Sequence, residues 1–530
     1  NLAEGTGSYT DEQDQEVAQT FISIERVFGT NFNDELIGNE VNNTFFGLEG
    51  DDKYVGGAGH DTFRDSSGVN YFDGGEGFDT VTFQNLINSG IKLNLAEGTG
   101  SYTDEQDQEV AQTFISIERV FGTNFNDELI GNEVDNTFFG LDGDDKYVGG
   151  AGNDTFRDSG GSNHFDGGEG RDTVNFQDLI NSGIKLNLAE GTGSYTDEQD
   201  QEVAQTFISI ERVFGTNFND ELIGNEVNNT FFGLEGDDKY VGGAGHDTFR
   251  DSSGVNYFDG GEGFDTVTFQ NLINSGIKLN LAEGTGSYTD EQDQEVAQTF
   301  ISIERVFGTN FNDELIGNEA HNTFLGYNGD DKYVGGAGND IFRDSAGVNY
   351  FDGGEGFDTV NFQDLINSGI KLNLAEGTGS YTDEQDQEVA QTLISIERVF
   401  GTNFNDELIG NEANNTFLGL DGDDTITGGA GNDVINTGDG NNTIDSGSGL
   451  DTIQLGNGNN TIALEEGEGH DKVINFQLGL TRFGVSDANT LTFEQSNGSV
   501  NIIAADGDLL ANVEGVEVST FTDNLSSIFF

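Results

Sequence analysis

Cysteine, proline, methionine and tryptophan are all absent from this 530-residue chain. No disulfide can staple it, and no thiolate can act as a nucleophile or soft-metal ligand. Basic residues are scarce: 20 Lys and Arg stand against 97 Asp and Glu, a formal net charge of -77. That balance argues against nucleic acid or an anionic membrane surface as a direct partner. No apolar run reaches membrane-spanning length, so no transmembrane segment is expected. Apolar residues make up only 33% of the chain. With so much charge of one sign, that composition alone predicts disorder, because burial cannot offset the entropy of ordering the chain.

Periodicity overrules that expectation. The chain has 79 glycines, and many recur in a fixed pattern, as in GGAGHDTFR (Gly56 to Arg64) and GGEGFDTVT (Gly74 to Thr82). Both follow G-G-x-G-x-D, then a polar or small residue, a large apolar one and a free position. Glycines let the backbone turn through positive φ and leave carbonyl oxygens facing a shared space. An acidic residue closes each loop, and three residues of strand follow. Stepping by nine through Gly29 to Thr82 gives closers Asp34, Asn43, Asp52, Asp61, Asn70 and Asp79. Two positions after each lies Leu36, Phe45, Tyr54, Phe63, Phe72 or Val81, an unbroken inward column. Carbonyls with one carboxylate per loop suit a hard cation with oxygen ligands, and Ca2+ is the usual one outside cells. Bound metal would supply the counter-charge that Lys and Arg do not; without it the carboxylates should repel one another and keep the chain unfolded.

These nonapeptides resemble the RTX (repeats-in-toxin, hemolysin-type calcium-binding) family, most closely over Gly56 to Asp61 and Gly74 to Asp79. The resemblance implies an all-β fold, a calcium-stabilised parallel β-roll or β-solenoid in which two nonapeptides make one coil. It further implies Ca2+ held between loops two nonapeptides apart, Asp61 with Asp79 on one side and Asp34 with Asp52 on the other. Carbonyls of Gly56, Ala58, Gly75 and Gly77 would complete the first of these shells. The same sites recur at Asp127, Asp145, Asp154 and Asp172, at Asp220, Asp238, Asp247 and Asp265, and at Asp313, Asp331, Asp340 and Asp358. A last set is Asp406, Asp424, Asp433, Asp451 and Asp471. Asn43 and Asn70 keep an oxygen but drop a charge, so sites built on them should be weaker.

The opening sequence, NLAEGTGSYTDEQDQEVAQTFISIERVFG, returns at Asn94, Asn187, Asn280 and Asn373, a period of 93 residues. Residues 1–28 are thus a partial connecting segment. Units follow at 29–121 (nonapeptides 29–82, connector 83–121), 122–214, 215–307 and 308–400. A terminal block spans 401–471, and residues 472–530 read as a β cap with an end, FTDNLSSIFF, similar to C-terminal export signals of type I secretion. The last module also resembles that of cyanobacterial secreted RTX proteins. Ile-Lys-Leu precedes later copies of the opening sequence, so the chain reads as a segment of a longer one. The connector reads as strand, turn at GTGSY, polar loop TDEQDQEV and strand. No Pro- or Ser-rich linker interrupts it, so the stack should run through and form a rod.

Tyr54 and the Phe column fall at strand spacing and read as core. His60, His246, His321 and His470 fall at a variable loop position and, like His164, read as solvated; no His pair has zinc spacing. Paired acids such as Asp51 and Asp52 recur in every unit without a distinct pocket segment, so no enzyme is expected. The leading reading is an extracellular structural protein that folds on Ca2+ after type I secretion and forms a surface fibre, sheath, S-layer or adhesin stalk. Self-association into fibres or arrays and contact with cell-surface polysaccharide are the partners that reading suggests. The alternative is the C-terminal RTX region of a larger secreted toxin or enzyme, which upstream sequence would reveal.

Overall fold

The computed structural model describes every residue except 65, 66, 87, 273, 366, 465, 466 and 468. The chain divides into two units, Asn1–Asp265 and Thr266–Phe530, and each is a parallel β-solenoid.

In the first unit, one coil carries strands Lys146–Ala151 and Thr155–Arg157, and the next carries His164–Glu169 and Thr173–Asn175. Lys146 pairs with His164 and Thr155 with Thr173, an offset of two nonapeptides, as the repeat predicts. From Thr44–Phe46 on, the three-residue strands bury their middle residue: Phe156 is fully buried between half-exposed Thr155 and Arg157. Glycine is required where the coils close. Gly168 has φ +94°, and a Cβ there would run into the Gly150 carbonyl one coil away.

The core is a column of stacked side chains between the two sheets. Tyr147 lies flat on Phe165 with ring centroids 5.0 Å apart, and Phe165 on Phe207 at 5.6 Å. Leu129, Phe138, Phe156 and Val174 are fully buried beside them. One inward ring per strand contributes about 1.5–3 kcal/mol by burial and about 0.5–1.5 kcal/mol per stacked pair. A chain with few apolar residues therefore folds because the pattern sends one large apolar side chain per short strand to one line.

The connector differs from its reading as two strands about a turn. It has four strands, Ile91–Asn94, Thr99–Thr103, Glu109–Ile115 and Arg119–Phe121. GTGSY is not the turn. Thr99–Thr103 is itself a strand, antiparallel to both neighbours, with Ser101 opposite Lys92 on one side and Ala111 on the other. The chain instead reverses before it, where Gly98 N–H donates to the Leu95 carbonyl, and after it at Asp104. There Asp104 Oδ1 accepts from the main chains of Gln106 and Gln108, both at 2.8 Å, closing a tight Asx turn without a helix. The stack does run through: Phe114 pairs with Phe72, and Val120 lies between Val81 and Phe138.

The second unit repeats this plan and adds the terminal block. Ile426, Ile435, Ile444, Ile453 and Ile462 replace the aromatic column and are fully buried. Beyond it, strands Thr492–Ser496, Ser499–Ile503 and Leu509–Glu514 pair antiparallel, and the last also runs parallel to Asp471–Ile474. Two short helices, Val518–Thr522 and Leu525–Ile528, carry the final residues back onto this end. Phe521 and Phe529 pack on Phe476, Phe483 and Phe493, so FTDNLSSIFF is built into the unit. Among the described residues, no helix is long and apolar enough to cross a membrane.

Candidate metal centres

Most loop closers belong to a ladder that climbs from coil to coil. Asp61 N–H donates to Asp79 Oδ1 at 2.7 Å, Asp154 to Asp172, Asp340 to Asp358 and Asp433 to Asp451 at the same distance. Asparagine can take the same rung: Asp145 N–H donates to Asn163 Oδ1 at 2.7 Å and Asp424 N–H to Asn442 Oδ1 at 2.8 Å. The residue before several closers bonds the opposite way, as His60 N–H does to Asn42 Oδ1 at 2.8 Å. The exposed His60 ring also joins this ladder: its Nδ1 accepts from Phe78 N–H at 2.9 Å, so the histidine is a rung and not merely solvated.

The rung uses one carboxylate oxygen. The other, Oδ2 of Asp61, Asp79, Asp154, Asp172, Asp247, Asp340, Asp358, Asp433 and Asp451, is buried with no hydrogen-bond donor. It folds back over the first residue of its own loop, which is glycine except before Asp451, where Ser446 stands. A Cβ at Gly56 would collide with Asp61 Oδ2 and the Gly74 carbonyl, and one at Gly149 with Asp154 Oδ2 and the Gly167 carbonyl. Glycine is thus what leaves room for a cradle of one carboxylate oxygen and one carbonyl from the next coil. Burial pushes these carboxyls up, Asp61 and Asp433 to about 6 and Asp154, Asp247 and Asp340 to about 7, with the neighbouring closer's charge adding to the rise. The ladder N–H bond opposes it.

A buried carboxylate oxygen without a donor is costly unless something positive meets it. Among the described residues, no three His, Asp or Glu side chains converge on one point. A cation here must therefore take main-chain carbonyls as well, and an all-oxygen set with one carboxylate per loop fits Ca2+.

The opposite side of the coil is built differently. Asp127 accepts at Oδ2 from Thr123 N–H at 2.8 Å, and at Oδ1 from Thr123 Oγ1 at 3.0 Å and Ile91 N–H at 2.7 Å. Asp220, Asp313 and Asp406 repeat that set with Thr216, Thr309 and Thr402. Asp34 is held by Thr30 alone and is half-exposed. Asp52, Asp145, Asp238 and Asp331 accept at Oδ2 from the hydroxyl of a tyrosine two residues on, Tyr54, Tyr147, Tyr240 and Tyr333, at 3.1–3.3 Å. The structure thus brings Asp61 and Asp79 into one donor-poor column, whereas Asp34 and Asp52 meet internal donors.

Among the remaining expected ligands, the Gly56 carbonyl lies in the cradle of Gly38 with Asn43. Ala58 and Gly75 are tied into the coil-to-coil register, Ala58 opposite Glu76 and Gly75 opposite Gly57, and Gly77 lies over the Gly59 carbonyl. Gly74 supplies the carbonyl that shares the cradle of Asp61. Asp265 closes the loop next to Asp247, whose N–H it accepts at 2.7 Å, and burial raises its pKa. Asp471 accepts from Ser446 Oγ at 2.8 Å, and burial pushes it to about 7.

Motif reading missed the connector glutamates. Glu118, Glu211 and Glu397 each receive the closer's N–H, from Asp79 at 2.8 Å, Asp172 at 2.9 Å and Asp358 at 2.9 Å. Counting nine back from Asp127 lands on Glu118, with Val120 two residues later, so the period itself held the signal.

The family profile described as "RTX calcium-binding nonapeptide repeat (4 copies)" matches residues 28–63, 49–81, 121–156, 148–176, 214–249, 235–267, 307–342, 325–360, 400–435, 427–462 and 436–470. No curated protein matches. Among solved structures, the extracellular lipase LipA from Serratia marcescens is similar at 19% identity over 39% of this chain, with a TM-score of 0.19. The chain spans 38% of that lipase's length, and so weak a superposition carries no argument. The profile matches together cover more than half of the 530 residues, in register with the cradles: the chain belongs to the RTX calcium-binding nonapeptide repeat family.

Proposed function

We propose that this chain is an extracellular structural protein that is exported unfolded by type I secretion and orders on Ca2+ outside the cell. There it forms a surface fibre, sheath, S-layer or adhesin stalk, through self-association or contact with surface polysaccharide. The observation that carries the reading is the recurring row of buried carboxylate oxygens without donors, from Asp61 to Asp451. Extracellular calcium modules bind at roughly 10⁻⁴–10⁻³ M, and cytosolic sensors work at roughly 10⁻⁷–10⁻⁵ M, so sites of the first kind stay unloaded inside and fill outside. A site filled at 100 times its Kd adds about 2.7 kcal/mol to the folded state, and many modest sites accumulate. Near-identical units suit a spacer, since length is what repetition supplies. Repetition also argues against catalysis, because the paired acids Asp51 and Asp52 recur as Asp144 and Asp145, Asp237 and Asp238, Asp330 and Asp331, and Asp423 and Asp424.

Circular dichroism of the purified chain with and without a chelator tests the calcium requirement. Strand signal should collapse in chelator and return with Ca2+; full strand signal in chelator would overturn the reading. Electron microscopy in Ca2+ separates filaments or lateral arrays from isolated particles.

A further inference from the structure

The two sides of the coil carry the same closing aspartate, yet only one keeps a donor-less oxygen in each 93-residue unit. At Asp127 the donor is Thr123 N–H, whereas at Asp145 the difference lies two residues after the closer. Where that inward residue is Phe156, Oδ2 of Asp154 has no donor. Where it is Tyr147, the ring is equally buried but its hydroxyl reaches the loop glycine. A Cβ at Gly140 would collide with the Tyr147 hydroxyl and Asp145 Oδ2. That is the place taken by the Gly167 carbonyl in the cradle of Gly149. The hydroxyl also lies 2.5 Å from Oδ2 of Asp158, a buried aspartate that begins the next coil's nonapeptide in place of the usual glycine. Asp158 Oδ1 is held in turn by Gly160 N–H at 2.8 Å. Tyr240 with Asp251 and Tyr333 with Asp344 repeat the arrangement at 3.1 and 2.8 Å.

The terminal block supplies an internal control. Its counterparts of Tyr147 and Asp158 are Ile426 and Thr437. There the matching carboxylate oxygen, Asp424 Oδ2, is buried without a donor, and a Cβ at Gly419 would meet that oxygen and the Thr437 carbonyl. The open cradle returns where the tyrosine and the aspartate are lost.

We propose that Tyr147, Tyr240 and Tyr333, each backed by Asp158, Asp251 or Asp344, plug the carbonyl–carboxylate cradle on their side of the coil and exclude a divalent cation from it. The units then load Ca2+ on the side of Asp154 and Asp172, and the terminal block loads it at Asp424 as well as at Asp433 and Asp451. The phenol hydroxyl takes in the plugged loop the place the cation takes in the open one, its one hydrogen shared between Asp145 Oδ2 at 3.2 Å and Asp158 Oδ2 at 2.5 Å. It meets the second carboxylate oxygen in a space too small for both. This rests on the reading that the chain takes calcium, and it makes cation loading one-sided along the units.

The test is the number of Ca2+ ions bound by the full-length chain, read by metal analysis after equilibrium dialysis and by calorimetric titration. Tyr147→Phe, Tyr240→Phe and Tyr333→Phe keep the ring stack and remove the plug, so bound Ca2+ should rise by about one per substituted loop. The converse variant, Ile426→Tyr with Thr437→Asp, should lower it by about one. Because it leaves the repeating units intact, it keeps the question answerable if the tyrosine variants fail to fold. An unchanged count in the folded variants overturns the proposal. Wild-type protein that binds no Ca2+ at all would instead overturn the functional reading, so the two failures are distinct.

Discussion

Asp154 N–H donates to Asp172 Oδ1 at 2.7 Å, joining residues 18 positions apart in sequence and one coil apart in space. The same carboxylate therefore has two tasks, since Oδ1 ties the coils together while Oδ2 is left for a cation. Asparagine at this position keeps the first task and gives up the charge. In calcium titrations followed by circular dichroism, Asp172→Asn should raise the Ca2+ concentration needed for folding. Asp172→Ala, which also leaves the Asp154 amide without its acceptor, should cost about 1–3 kcal/mol more. Equal effects of the two substitutions would show that the rung contributes nothing.

The pH dependence has a definite sign. Asp61, Asp154, Asp247, Asp340 and Asp424 have folded-state pKa values raised by burial to about 6 or 7, above those of an unfolded chain. The folded state thus binds more protons, and metal-free stability falls as pH rises from about 4 to about 7. Calcium needs the ionised carboxylates, so the Ca2+ midpoint should move to lower concentration over the upper part of that window. Chelator-treated protein that gains structure between pH 4 and pH 8 would contradict this.

Glycine is required at specific points and not throughout. Gly168→Ala places a methyl against the Gly150 carbonyl at φ +94°, whereas Gly507 has φ +98° with open space around it. Gly507→Ala bears only the cost of left-handed backbone, about 1–2 kcal/mol. Gly168→Ala should be clearly worse, with a higher Ca2+ midpoint and faster hydrogen exchange in the adjoining coils. Similar losses from both would remove the case for close coil-to-coil approach.

The inward column is a source of stability separate from the cation sites, though not sufficient without them. Phe165 is fully buried between Tyr147 and Phe207, while Phe125 lies outside that column and is 38% exposed. Phe165→Ala should cost about 3–5 kcal/mol, and Phe125→Ala little, by denaturant unfolding in saturating Ca2+.

Most of this architecture is legible in the sequence, because the nine-residue step of Asp52, Asp61 and Asp79 fixes coil, closer and inward residue together. The connector was harder. Thr99–Thr103 looks like a turn by its glycine, but its neighbours on both sides supply edges to pair with, and that tertiary partner decides its state. The two sides of the coil were indistinguishable at the level of the motif. Asp145 and Asp154 sit in equivalent spellings, and only the reach of the Tyr147 hydroxyl across the core separates them. Asp158 gave no signal because it occupies a position where the motif expects glycine.

The most direct measurement is anomalous diffraction from crystals of the chain grown in Ca2+. The account predicts calcium peaks within coordination distance of Oδ2 of Asp61, Asp154, Asp247, Asp340 and Asp433, each shared with a main-chain carbonyl of the following coil. Ordered loops whose aspartates turn outward, with no calcium peak at any of these five oxygens, would contradict it.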